Sequence, residues 1–233
     1  MEGDRDRWML ERKQVHDRVC GISDVVGHRG TIVGYRHASL RLTFAVLASG
    51  SGTNLQALID DGVPGLAVVI SDVADCGALV RARAAGLPSE FIPHGPDRIH
   101  NTKLVCDAAS RHGAGALVLA GFMRILAPTA LRRFPDRIIN IHPSLLPAFP
   151  GVDAVGQALA AGVTVTGVTV HFVDEQVDHG PIIAQRAVPV LPGDDEASLH
   201  ARIQKEEHDL YPQVVRALVA GRLAVQEEKV IWS

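Results

Sequence analysis

The residues of this 233-residue chain with the means to do chemistry fall into five short clusters. Asn140-Ile141-His142-Pro143-Ser144 closes an apolar run at residues 137–141 that reads as a β-strand. Side chains alternate along a strand, so Asn140 and His142 share a face. An amide donor and an imidazole projecting together from a strand end can stabilise an oxyanion and move a proton. Asp178, in Asp178-His179-Gly180-Pro181, offers a carboxylate to pair with His142 and favour its imidazolium form. Taken alone, a histidine is more often structural, and Asp, Gly and Pro are also ordinary hairpin-loop residues.

Ser49-Gly50-Ser51-Gly52-Thr53-Asn54 joins a strand to a helix. Glycines let the backbone approach a ligand, and free N–H groups at a helix start attract an anion, of which phosphate is the natural guest. The spacing is neither GxGxxG nor a P-loop. A tight turn with Thr53 or Asn54 as the helix cap is the plainer alternative. Phe122-Met123-Arg124-Ile125-Leu126 follows a buried strand and reads either as crossover packing or as an apolar wall for a flat heterocycle. Glu206-Glu207-His208 lacks the HExxH spacing of a zinc site and by itself reads as a solvated charged face.

These clusters need a frame, and hydrophobic periodicity predicts one. Strands are expected at residues 42–48, 65–71, 90–93, 116–120 and 137–141, with longer ones at 164–173 and 181–190. Helices are expected at residues 54–60, 77–85, 99–112, 128–134 and 194–220. The alternation predicts an α/β fold: a Rossmann-like, mostly parallel twisted sheet with helices on both faces and an antiparallel element in the C-terminal half. Ligands of such sheets bind beyond the carboxyl ends of the strands, where residues 49–54, 121–126 and 140–144 fall.

Composition narrows the partners. A chain that is 47% hydrophobic and 21% charged is not intrinsically disordered. A net charge of −3 and ten aromatic residues argue against nucleic acid, by field or by stacking. No apolar stretch approaches the ~18 residues of a membrane span, and the first 25 residues lack an apolar signal core. Three cysteines without a CxxC pair argue against a zinc knuckle or a disulfide framework. The expectation is a cytoplasmic protein, a monomer or homodimer, with small-molecule partners and no metal. Residues 1–41, with eight Lys and Arg and six Asp and Glu, read as a loosely held N-terminal extension. Residues 42–233 read as one domain carrying 15 Lys and Arg against 20 Asp and Glu, so anions must be bound by local groups and not by bulk charge.

Taken in order, the clusters resemble the phosphoribosylglycinamide formyltransferase family of folate-dependent enzymes. The resemblance rests on residues 48–56, residues 119–126 and residues 140–147, then on Phe149-Pro150-Gly151, Val170-His171-Phe172-Val173, residues 178–183, and Glu207-His208 before Tyr211-Pro212. It covers residues 42 to about 225. It implies the formyltransferase fold and a reaction in purine synthesis. The formyl group of the co-substrate 10-formyltetrahydrofolate would pass to the amine of phosphoribosylglycinamide, through a tetrahedral intermediate. Asn140, His142 and Asp178 would then be the catalytic set, and Gly52, Thr53 and Asn54 the phosphate cradle. Glu207 would bind the glycinamide end, in place of the charged-face reading. Arg98, Met123, Arg124, Ile125, Leu126 and Asn140 would contact the folate.

Two positions depart from the family pattern. Asp153 stands where many members have His, and His179, where Gly is common, is placed to perturb the titration of Asp178. Three other readings compete. Formyltetrahydrofolate deformylase shares the Asn-His-Asp set but resembles a fusion with a regulatory domain and lacks the SGxGTN turn. Methionyl-tRNA formyltransferase requires a further basic domain. A non-catalytic folate- or nucleotide-binding module would leave the Asn-His-Asp set without a purpose.

Overall fold

The computed structural model describes residues 42–233, and the extension expected at residues 1–41 lies outside them. The first half alternates β1 (Phe44–Leu47), α1 (Thr53–Asp60), β2 (Leu66–Ser71), α2 (Gly77–Ala84), β3 (Ser89–Phe91), α3 (Arg98–Arg111) and β4 (Ala116–Leu119). It continues through α4 (Pro128–Arg133), β5 (Ile138–His142), α5 (Ala154–Ala160), β6 (Val165–Phe172) and β7 (Ile182–Pro189). The long α6 (Glu196–Val219) and a hairpin of β8 (Leu223–Gln226) and β9 (Lys229–Trp232) complete it.

Seven strands form one sheet in the order β3-β2-β1-β4-β5-β6-β7. β1 to β5 pair in parallel, while β6 runs antiparallel to β5 and to β7. The chain winds outward from β1 to β3 and then returns to β4, so the β1/β4 boundary is the topological switch point where such sheets bind ligands. Both faces are covered, as the continuous apolar strands require. Phe44 and Val46 of β1 pack with Leu55 of α1, Leu79 of α2 and Ile203 of α6. Ala45 and Leu47 point to the other face, toward Val105 of α3 and Phe134 beyond α4.

α6 brings a functional side chain under the sheet. Asp195 and Ser198 close a reciprocal capping box at its start. Tyr211, fully buried, donates its hydroxyl hydrogen bond to the Leu119 carbonyl at 2.7 Å. Glu207, one turn earlier on the same face, is thereby carried beneath the β1 turn.

The expected fold is the observed one, with three elements beyond it, α5, β8 and β9. α5 has seven residues, too few for a clear periodic signal. The β8–β9 turn places Glu227 and Glu228 at φ of 48° and 61°. Hairpin turns with two positive φ values normally announce themselves with Asn-Gly, which Glu-Glu does not.

Candidate active site

β5 ends with Asn140 part-buried and His142 buried, on the shared face that alternation predicts. The loop between β6 and β7 delivers Asp178 against both. The Asn140 Nδ2 donates to Asp178 Oδ1 at 3.3 Å, and the His142 Nδ1 lies 3.3 Å from Asp178 Oδ2. The backbone N–H of Gly151 donates to the same Oδ2 at 2.8 Å. Gly180 lets this loop fold back, because a Cβ there would lie 2.0 Å from the Phe172 carbonyl oxygen. Burial pushes the Asp178 carboxyl up, but His171, the Gly151 N–H and the charge of His142 outweigh it, leaving the group below the usual carboxylate range.

The other nitrogen of His142, Nε2, donates to the Phe149 carbonyl at 2.8 Å. Both ring nitrogens therefore face oxygen acceptors, and the ring donates to both only as imidazolium. The segment carrying Phe149 is tied down from β6 and β7. Thr169 donates to the Ser144 carbonyl at 2.7 Å and accepts from the Leu146 N–H at 3.0 Å, while Gln185 donates to the Leu146 carbonyl at 2.9 Å.

His171 belongs to this cluster, although sequence reasoning gave it no role. It sits opposite Asn140 in the β5/β6 register, with Nε2 3.3 Å from the Asn140 Nδ2 and 3.5 Å from Asp178 Oδ1. Its signal was its place in Val170-His171-Phe172-Val173, but that placement becomes meaningful only once the antiparallel register is known.

A second region lies at the β1–α1 turn. Gly52 is the residue before α1, at φ 73°, and a Cβ there would lie 2.6 Å from the Ala78 Cα. Among the described residues no side chain caps α1, and its first N–H groups form the kind of helix start that suits an anion. Thr53 and Asn54 are the first helical residues, not caps. Asn54 turns inward and donates to Glu207 Oε2 at 2.9 Å. Glu207 is 5% exposed, and burial pushes its carboxyl up against the opposing pull of Asn54, His200, His208 and His142. The charged-face reading describes its neighbour Glu206 instead, which pairs with Arg186 at 3.2 Å.

A third region is a cavity lined by Arg98, Arg124, Ile125 and Leu126, together with Asp72 and Phe122. Met123 does not line it. Its side chain is 67% exposed, and its N–H donates to the Ser49 Oγ at 2.9 Å. The two departures from the family pattern point elsewhere. Asp153 caps α5 through the Gly156 N–H at 3.1 Å. His179 pairs with Asp174 at 2.8 Å, which raises its pKa. Among the described residues no helix is long and apolar enough to cross a membrane.

The sequence pattern of the formyl transferase family matches residues 42–215, and the chain belongs to that family. It is 41% identical to the phosphoribosylglycinamide formyltransferase of Bacillus subtilis over 183 residues, which are 76% of this chain and 94% of that protein. The crystal structure of glycinamide ribonucleotide transformylase 1 from Symbiobacterium toebii aligns with a TM-score of 0.81 at 46% identity, covering 83% of this chain and 95% of that one. The trifunctional purine biosynthetic protein adenosine-3 of Drosophila pseudoobscura is 48% identical over 197 residues, or 78% of this chain. This chain spans 14% of that longer protein. A formyltetrahydrofolate deformylase from Pseudomonas syringae is less similar, at 28% identity and a TM-score of 0.77, covering 83% of this chain and 66% of that one. The fold is thus common to proteins named as formyltransferases and to one named as a deformylase.

Proposed function

We propose that this chain transfers the formyl group of 10-formyltetrahydrofolate to the amine of phosphoribosylglycinamide, as a cytoplasmic step of purine synthesis. One observation carries the reading. The Asp178 carboxylate lies between the Asn140 amide and the His142 imidazole, each 3.3 Å away.

Attack by the amine on the formyl carbon forms a C–N bond and turns the formyl oxygen into an oxyanion. Asn140 Nδ2 and His142 Nδ1 are the two donors to that oxyanion, and one such donor is typically worth about 10²–10³ in rate. The ionised Asp178 accepts the proton that the attacking amine loses, directly or through one water. Asp178 then passes that proton, directly or through the same water, to the departing folate nitrogen as its bond to the formyl carbon breaks, so the carboxylate is regenerated and no charge is left over. Nothing in this sequence requires a covalent link to the protein. Placement of two substrates supplies most of what remains.

The other two regions fit the two substrates. The uncapped start of α1 suits a ribonucleotide phosphate, and Glu207 suits the glycinamide end. Asn54 serves this site by holding Glu207 with its side chain and by offering its backbone N–H. Phe122, Ile125 and Leu126 suit a pterin face, with Arg98 and Arg124 for the carboxylates of the glutamate tail.

The test is turnover of 10-formyltetrahydrofolate by purified protein with and without the ribonucleotide. Consumption that needs the ribonucleotide is expected. Equal consumption without it would make the protein a deformylase, and binding without consumption a non-catalytic module.

A further inference from the structure

We propose that Asp72, supported by Ser49, is a positioning residue that holds the Arg124 guanidinium ready for a carboxylate of the folate tail. The inference rests on the reading of this cavity given above, and it concerns two residues to which that reading gives no part.

Three neighbouring strand ends meet at the switch point: Ser49 just beyond β1, Asp72 just beyond β2, and Arg124 beyond β4. The Asp72 side chain is 4% exposed. Its Oδ1 accepts from the Ser49 hydroxyl at 2.6 Å and its Oδ2 from the Arg124 Nε at 2.6 Å. Ser49 is itself fixed, because its N–H donates to the Gly121 carbonyl at 2.9 Å and its Oγ accepts from the Met123 N–H at 2.9 Å. Burial pushes the Asp72 carboxyl up, but the Ser49 hydrogen bond and then Arg124 outweigh it, so the group stays ionised.

Among the described residues Arg124 is held through Nε alone. Among the described residues its two terminal nitrogens make no hydrogen bond, and the guanidinium of Arg98, which lines the same cavity, makes no hydrogen bond or ion pair. A guanidinium pinned at Nε keeps its Nη fork free, and that fork matches a carboxylate with two parallel hydrogen bonds. Two guanidinium groups against one buried carboxylate leave the wall cationic, which suits an anionic tail. The alternative is that Asp72 competes with the tail for Arg124. The geometry argues against it: the bond to Asp72 runs through Nε, and a tail carboxylate would use Nη. Fixing the long arginine side chain beforehand also lowers the entropy lost on binding.

Two ligands separate this role from a structural one: tetrahydrofolate, and the same molecule with both glutamate carboxylates amidated. Asp72→Ala is expected to raise the calorimetric Kd for tetrahydrofolate about tenfold, to leave that for the diamide unchanged, and to leave kcat at saturation within about twofold of wild type. Asp72→Asn keeps an acceptor for Nε and should recover most of the affinity. Ser49→Ala should give a smaller shift in the same direction, and it serves if Asp72→Ala fails to fold. Equal weakening toward both ligands, or none toward either, would overturn the inference, provided Arg124→Ala still tells them apart. If Arg124→Ala does not tell them apart, the cavity does not seat the tail, and the reading beneath the inference falls with it.

Discussion

The carbonyl of Phe149 accepts a hydrogen bond from Nε2 of His142 at 2.8 Å, and that bond turns the other nitrogen, Nδ1, to within 3.3 Å of Asp178. Which imidazole nitrogen works is set by what the other one holds. The orientation of His142 thus depends on a loop that is fastened by Thr169 and Gln185 rather than by its own strand. Thr169→Val keeps the shape but removes the hydroxyl shared with Ser144, Leu146 and Gln185. It should lower kcat by about ten- to a hundredfold through misplacement and cost about 1–3 kcal/mol of stability. Steady-state kinetics and urea unfolding on the same sample check both.

His142→Ala removes one of two donors to the developing oxyanion. Turnover should fall by about 10²–10³, while circular dichroism and the oligomeric state remain those of wild type.

Asp178 gives a pH signature. Its folded pKa is depressed, so its stabilising effect is complete above the unfolded carboxylate value of about 3.9 and disappears as pH falls through the lower folded value. Wild type should exceed Asp178→Asn in unfolding free energy at pH 5, where the neighbouring imidazoles favour the ionised carboxylate. The gap should narrow below about pH 4. Denaturant unfolding across that range measures it.

Glu207 has the opposite sign. Its folded pKa is raised by burial, so the ionised form costs stability at neutral pH, and the cost fades as pH falls through the raised value. Glu207→Gln should therefore melt at the same or a higher temperature than wild type at pH 7, with the difference closing toward pH 4. The KM for the ribonucleotide should rise at least tenfold, the expected trade of stability for function.

Gly52→Ala sets a Cβ 2.6 Å from the Ala78 Cα in a left-handed backbone. Strain of about 1–2 kcal/mol or more is expected from the backbone alone, and the start of α1 must shift. Inorganic phosphate should raise the melting temperature of wild type and fail to raise that of the variant.

The sequence revealed the fold because its signals are local. Apolar runs such as 116–120 and their alternation with helices specify a covered parallel sheet without any long-range information. The pairing of Asn140 with His142 was legible for the same reason, as a two-residue period on one strand. Glu207 shows where local reading ends. Glu206 and Glu207 are adjacent and chemically alike, yet the packing of Tyr211 under β4 buries one and leaves the other with Arg186. The roles of His171 and Asp72 were not legible for a related reason: each acquires its partner from a different strand, and strand register is not written in either strand alone.

The most direct test follows an isotopically labelled formyl carbon from 10-formyltetrahydrofolate in the presence of phosphoribosylglycinamide. The label is expected in the formylated amide of the ribonucleotide, one for each folate consumed, with little in formate. Label released as formate at the same rate whether or not the ribonucleotide is present would contradict it.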